Sequence, residues 1–422
     1  MKRLLVAVAA TVLMLMFALT ACSGDDGESG AVAGQDGDTI RVITFFTGAD
    51  QWAPLFQQVV QEYMDDNPHV TILDESLPTG GGVDYFRPRM HADAAAGMPA
   101  DAALFFNGTD AQPLVESGLF VDWNPILDRY PAWRAQFNAD ALPAGYWDGQ
   151  LVALPYIGFF IGLLYNQAIL SEHGLEPPTS WDNILRAVEV LAETDIIPMA
   201  NTLVNPTSQL EMILLSAVGP QGQTNFFDDS WVPAMQMFNT LYQMGAFPRD
   251  AATMSDTELR PVFENGLAAM SFNGSWVLNA LRDNYDIGIT SLPALPGASG
   301  QDHAIVAGFG SGWYMSINAY ERGPETLNFI QFMCSPETLA RFIEIGGSPA
   351  MPVQLPPDTE PLMLAAMEMV ANSTAMNSPL DAQIPRDVFN TFNRELVFVA
   401  VGDMTPEEIL ERGRTTLAQH QD

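Results

Sequence analysis

Lysine is almost missing from this chain. Of 17 basic residues only Lys2 is a lysine, against 51 acidic residues, for a formal net charge of −34. A surface of that sign repels nucleic acid and anionic lipid, and no basic patch overrides it, so a nucleic-acid partner is excluded. Acidic, lysine-poor surfaces suit salty media, where self-repulsion is screened. Cysteine is equally scarce, with only Cys22 and Cys334. Cys334 closes the apolar stretch Phe329-Ile330-Gln331-Phe332-Met333 and reads as a buried, inert thiol, so no intrachain disulfide is expected. The histidines (His69, His91, His173, His303, His420) are scattered, and no two stand at the i, i+4 spacing of a zinc motif. No metal and no cofactor is expected. There is no Gly-x-Ser-x-Gly elbow of a serine hydrolase. Beyond the N-terminal run, no apolar stretch approaches the ~20 residues that span a bilayer.

What is there begins at the N-terminus. Lys2 and Arg3 precede an apolar stretch from Leu4 to Leu19, followed by Thr20-Ala21-Cys22. Cations, apolar core and small residues are the layout of a secretory signal. The closing Leu19-Thr20-Ala21-Cys22 resembles a bacterial lipobox, which implies a signal peptide over 1–21 and a lipid on Cys22. The alternative is an uncleaved membrane anchor. Either way the chain is expected to work outside the cytoplasm, tied to the membrane. Residues 22–38 are small and acidic, and read as a flexible tether.

The remaining length of about 400 residues suits two domains or one large one. Ile40–Phe46 is a strand rich in β-branched and aromatic residues. Apolar residues then recur at Trp52, Leu55, Phe56, Val59, Val60 and Tyr63, the stripe of a core-facing helix. Asn67-Pro68 stops it, and Val70–Leu73 is the next strand. Strand, helix, strand implies a parallel βαβ unit. A helix over 85–96, a strand over 102–106, and helices opening at Thr179-Ser180-Trp181, Ser335-Pro336 and Thr405-Pro406 continue the pattern. The fold class is α/β, without solenoid repeats.

Six blocks in order resemble the extracellular solute-binding proteins of ABC importers, in the carbohydrate-binding group that includes maltose-binding protein. They are Ile43–Phe46; Ala96–Ala102; Gly149–Tyr156 with Leu164-Tyr165-Asn166 and Pro178–Trp181; Asn265–Trp276; Gly310–Ile317; and Phe329–Pro336 with Gly346–Pro349. Together they span nearly the whole mature chain. Positions held by lysine in the family are Gln150, Gln167 and Leu267 here, and Gly80-Gly81-Gly82 is an unusually glycine-rich loop. The resemblance implies a two-lobed periplasmic-binding-protein-like fold with discontinuous lobes, a hinge and a ligand cleft between them. The first lobe would take 39–148 and 295–348, and the second 149–293 and 351–422. It further implies a monomer that delivers a carbohydrate to the membrane subunits of an ABC permease.

A sugar offers apolar C–H faces and a ring of hydroxyls, so its site needs aromatic platforms with amides or carboxylates between them. Such residues stand after strands, where open α/β sheets place ligands. Trp276 follows Ala269–Phe272 and the turn Asn273-Gly274; the alternative is burial in the next helix. Trp313 follows Gly310-Ser311-Gly312, and could instead pack within its strand. Tyr156 and Phe159 follow Leu151–Leu154, one of them expected in the cleft, with Phe160 in the core. Asn107, Thr109 and Asp110 follow Leu104–Phe106, where Asp110 could hold sugar hydroxyls or cap the helix near Ala111. Phe46 and Asp50 end the first strand, with the same ambiguity for Asp50. Trp52 reads as core. Asn205 and Arg386 are candidates from loops of the second lobe.

Three other functions compete with sugar delivery. A binding protein could carry a polyamine, iron or a polyol phosphate, and the acidic balance suits a cation. An extracellular polysaccharide hydrolase would need a carboxylate pair or a nucleophile–histidine pair, and no such catalytic constellation stands out. A surface scaffold or sensor partner is the third.

Overall fold

The computed structural model describes residues 38–420 except 49, 80–83, 140 and 283–285. The signal peptide, Cys22, the tether up to residue 37 and the glycine loop at 80–82 lie outside the described residues, while Asp38, read as the end of the tether, opens the first strand. Among those described, no helix is long and apolar enough to cross a membrane.

Two larger sheets organise the chain. The first has five strands in the spatial order Val70–Asp74, Asp38–Ile43, Ala102–Phe106, Ser311–Met315, Leu154–Pro155. Its first three strands run parallel, and Ser311–Met315 is antiparallel to Ala102–Phe106. Parallel neighbours need a crossover, and the helices Ala53–Asp66 and Phe86–Ala95 supply it. The first of these buries Phe56, Val59, Val60 and Tyr63, the stripe read from the sequence, and Asn67 closes it by donating to the Tyr63 carbonyl. The opening strand ends at Ile43, not Phe46. Beyond it the chain turns, held by the Thr44 hydroxyl against Ser76.

The second sheet is built on the ten-residue strand Ile157–Asn166, almost entirely buried. Ala268–Gly274 and Ile287–Thr290 pair antiparallel with its C-terminal half. Ala304–Gly308 and Ser348–Pro349 pair with its N-terminal end. Helices open where the caps predict: Ser180 accepts from Asn183, Ser335 from Thr338, and Thr405 with Glu408 forms a capping box.

Each sheet carries its own core, so the chain forms two lobes. The chain passes directly between the sheets at two places, Pro155 to Ile157 and Gly308 to Ser311, and joins the second sheet once more at Ser348-Pro349, coming from the first-lobe helix Pro336–Ile343. These passages lie side by side, because Ala307-Gly308 pairs with Phe159-Phe160 and Ser348-Pro349 with Ile157-Gly158. Three adjacent extended strands make a hinge that bends without breaking a helix. The first two passages come later than the boundaries expected at Gly149 and Leu295. Leu151 and Leu154 belong to the first core, Leu295 and Ala304 to the second, and Met351 to the first. The switch at Pro155–Ile157 is hidden inside an unbroken apolar run, where no turn signal marks it.

Candidate functional site

The C-terminal ends of the first-sheet strands face the second lobe across a cleft of about 520 Å³. That volume suits a small organic ligand. On the first lobe, Phe45 and Phe106 leave their strands side by side and stack, with centroids 5.1 Å apart and planes 8° apart. The Arg87 guanidinium lies over Phe106, 3.8 Å from its centroid. On the second lobe, Trp276 and Phe159 line the cleft with centroids 6.1 Å apart. Trp276 follows the strand Ala268–Gly274 in a short 3₁₀ turn, where Gly274 leaves room for the ring: a Cβ there would stand 2.2 Å from Trp276. Asn201, Asn205 and Asn393 also line the cleft. Asn393 donates to Asn205 at 2.6 Å, and Asn201 donates to the Phe272 carbonyl at 2.9 Å.

One ion cluster joins the lobes. Asp110, 3% exposed, accepts from Arg87 at 2.7 Å and from Arg386 of the opposite lobe at 2.6 Å. Arg386 also reaches Asp381 at 3.2 Å. Beside it the Thr109 hydroxyl donates to the Asp381 carbonyl at 3.2 Å. Gly108, with φ +66°, packs so closely that a Cβ there would lie 2.4 Å from the Ala382 carbonyl oxygen. A second pair, Asp256 with Arg260 at 2.7 Å, lines the cleft from the second lobe.

The expected site residues therefore divide. Phe159, Asn205, Trp276, Arg386, Asn107 and Asp110 line the cleft, and Phe160 is core as expected. Asn107 is spent on the hinge: its amide donates to the Phe309 carbonyl at 2.9 Å and its Oδ1 accepts from Tyr314. Asp110 is neither a helix cap nor a free acceptor, since two arginines occupy it. Phe46 borders the cleft, but its ring packs on Trp52, Phe56 and Phe342.

Tyr156, Trp313, Thr109 and Asp50 are not among the described residues lining the cleft. Tyr156 and Trp313 are fully buried and pack edge to face at 5.8 Å. Trp313 pairs in register with Leu104 inside a sheet covered on both faces, and turns toward Phe329 rather than the ligand space. Asp50 caps its own turn, accepting from Trp52 N at 2.9 Å. Burial pushes its carboxyl up to about 6.

Phe45, Phe106, Arg87 and Asn393 were not read from the sequence as site residues, and Trp52, read as core, borders the cleft while its Nε1 donates to the Phe342 carbonyl. For Phe45 and Phe106 a signal existed, since both end strands. For Arg87 and Asn393 none did: Arg87 has Asp84 close by, but the residue that ties it to the cleft, Asp110, lies 23 positions on, and Asn393 meets Asn205 across 188.

Each aspartate lining the cleft, Asp110, Asp256 and Asp381, is held by an arginine. Among the described residues no group of three or more His, Cys, Asp or Glu is placed to hold a metal ion. The arrangement offers aromatic faces, amides and neutralised charge, the means to hold a polar, uncharged molecule with apolar patches.

Comparison with known proteins agrees with this geometry. Residues 49–340 match the family described as bacterial extracellular solute-binding protein. The multiple sugar-binding protein of Streptococcus mutans is 21% identical over 338 residues, 75% of this chain and 76% of that protein. A chitin oligosaccharide binding protein superposes with a TM-score of 0.80 at 22% identity, covering 91% of this chain and 99% of that one. A protein solved in work on xylan utilisation by the thermophilic bacterium Caldanaerobius polysaccharolyticus superposes at 0.82 with 19% identity, over 90% of this chain and all of that one. At these identities the structural likenesses are of fold.

Proposed function

The chain belongs to the bacterial extracellular solute-binding proteins, and on that premise we propose that it captures a short oligosaccharide in the interlobe cleft and presents it, uncleaved, to an ABC-type permease. The carrying observation is the pair of aromatic walls facing each other across a charge-neutralised cleft. Aromatic faces cover the C–H faces of pyranose rings, while amides hold their hydroxyls. The sugar named for the Streptococcus mutans relative supports the same class. A cationic solute fits less well, because the aspartates that would attract it already hold arginines. A hydrolase would need an unpaired ionised carboxylate opposite a protonated one, and the aspartates of the cleft are paired.

The Leu19-Thr20-Ala21-Cys22 signature supports a lipid anchor at Cys22 and a carrier tethered to the cell membrane, on its outer face or in a periplasm. Mass spectrometry of the native N-terminus should find diacylglyceryl-cysteine; an unmodified Cys22 in membrane-extracted protein refutes the anchor. For the ligand, the test is a thermal-shift screen with maltotriose, raffinose, xylotriose and triacetylchitotriose, beside spermidine and glycerol phosphate. A sugar at 100 times its dissociation constant adds about 2.7 kcal/mol to native stability, and should be recovered intact. A shift with spermidine or glycerol phosphate and none with sugars overturns the reading.

A further inference from the structure

Glu211 has no part in the ion pairs that neutralise the cleft. It lies in the helix Thr207–Thr224, lines the cleft, and is 1% exposed. Its Oε2 accepts from the Leu380 amide at 3.1 Å and from Gln223 Nε2 at 3.4 Å. The acceptor end of Gln223 is itself taken by Asn377. Among the described residues, Glu211 Oε1 has no partner.

A buried carboxyl with an open valence is costly, and a leucine or methionine of similar volume would avoid the cost. Arg386, which pairs with the neighbouring Asp381, is committed to Asp110 and Asp381. We propose that Glu211 is a ligand-recognition residue, its Oε1 completing its hydrogen bonding on an oxygen of the bound sugar. The inference rests on the sugar-binding reading and adds a specificity-determining contact to it.

Chemistry fixes the direction of that bond. Burial, and then the like charge of Asp381, hold the Glu211 carboxyl well above the usual carboxylate range, against the Leu380 hydrogen bond. A shift in that direction favours the protonated form. Oε2 already receives two N–H donors, so the proton resides on Oε1, as an O–H that needs an acceptor. A hydroxyl, ring or glycosidic oxygen of a neutral saccharide supplies one. A primary amine would instead compete for the proton. Glu211 thus selects uncharged oxygen ligands over amines within one cleft.

The test takes whichever of maltotriose, raffinose, xylotriose or triacetylchitotriose binds the full chain. Glu211→Gln keeps an N–H donor at the same position and should stay within about threefold of wild-type affinity. Glu211→Leu removes donor and acceptor together and should lose at least about tenfold, a typical cost for one buried hydrogen bond to a ligand. The wild-type protein provides a measurement that does not depend on the variants folding. With ¹³C-labelled glutamate, the Glu211 carboxyl resonance, assigned by its loss in Glu211→Gln, should move on saturation with the sugar. A resonance that stays put at saturation, or a folded Glu211→Leu with wild-type affinity, overturns the assignment and leaves sugar binding intact. If no sugar of the panel binds, the functional reading fails first and this inference with it.

Discussion

On the first lobe the cleft wall is two phenylalanines stacked on each other, with a guanidinium fixed above one of them by Asp84 and Asp110. On the second lobe it is Trp276 and Phe159, tilted by 42° and bordered by amides. The rings of the first wall already use their faces on one another and on Arg87. The rings of the second do not stack in parallel, and Trp276 is only half-buried. From this difference we propose a division of roles: the first wall is preformed, and the second carries the open face on which a sugar ring can stack. Preorganisation of one wall lowers the ordering cost on binding.

The sharpest way to break that division is a pair of tryptophans. Trp313 and Trp276 both follow glycine-bearing turns, yet one is fully buried and the other faces the cleft. Trp313→Ala empties a packed site and should cost about 4 kcal/mol of stability by denaturant unfolding. Protein that remains folded should bind sugar nearly as wild type does. An affinity loss without a stability loss would return Trp313 to the site.

Asp110 is the next largest. Replacing it by Asn leaves Arg87 and Arg386 with one neutral acceptor between them. Removing one partner of a buried ion cluster costs about 3 kcal/mol, measurable as a lowered unfolding midpoint. Arg386→Met separates its two functions. It keeps the Arg87–Asp110 pair within the first lobe and cuts the ionic tie to the second. Stability should drop by about 1 kcal/mol, because Arg386 is partly exposed. Small-angle scattering of the sugar-free protein should show a larger radius of gyration. An unchanged radius would show that the lobes are held by other contacts.

Much of this arrangement was legible beforehand, for physical reasons that can be named. The helix Ala53–Asp66 was readable because one face is wet and the other dry, so its period survives in the sequence. Trp276 and Phe159 were readable because strand ends point at clefts. Trp313 and Tyr156 were not, since a strand covered on both faces shows no alternation to say which side is which. The passages between lobes were misplaced for the same reason: Leu154, Ile157 and Phe160 are apolar on either side of the switch, and each is buried in one core or the other. Asp110 and Arg386 were each read as candidates, but not as partners. Arg386 lies 276 residues away, and no local pattern encodes that pairing.

Trp276→Ala tests the second wall directly. Loss of a stacking platform should weaken sugar binding by about thirtyfold, equivalent to ~2 kcal/mol, with a smaller loss of stability than Trp313→Ala. Phe106→Ala should show the opposite balance, since its ring packs on Phe45 and Phe86. Calorimetric titration of both variants reads the contrast. Equal affinity losses would mean that both walls stack on the ligand.

The smallest effect concerns Asp50, partly buried in the turn that leads to Trp52. Burial raises its carboxyl to about 6, against the pull of the Trp52 amide and of Arg260 from the second lobe. A folded-state value above the unfolded one means that folding takes up a proton. The stability this contributes is full below about pH 4 and is lost as pH rises to about 6. Asp50→Asn preserves an acceptor for Trp52 N and removes the titration. It should match wild type near pH 4 and exceed it at pH 7 by about 1 kcal/mol, the full linkage value being reduced by partial solvent access. Unfolding midpoints across pH 4 to 7 read the difference. A variant that runs parallel to wild type over that range would show Asp50 solvated and ionised throughout.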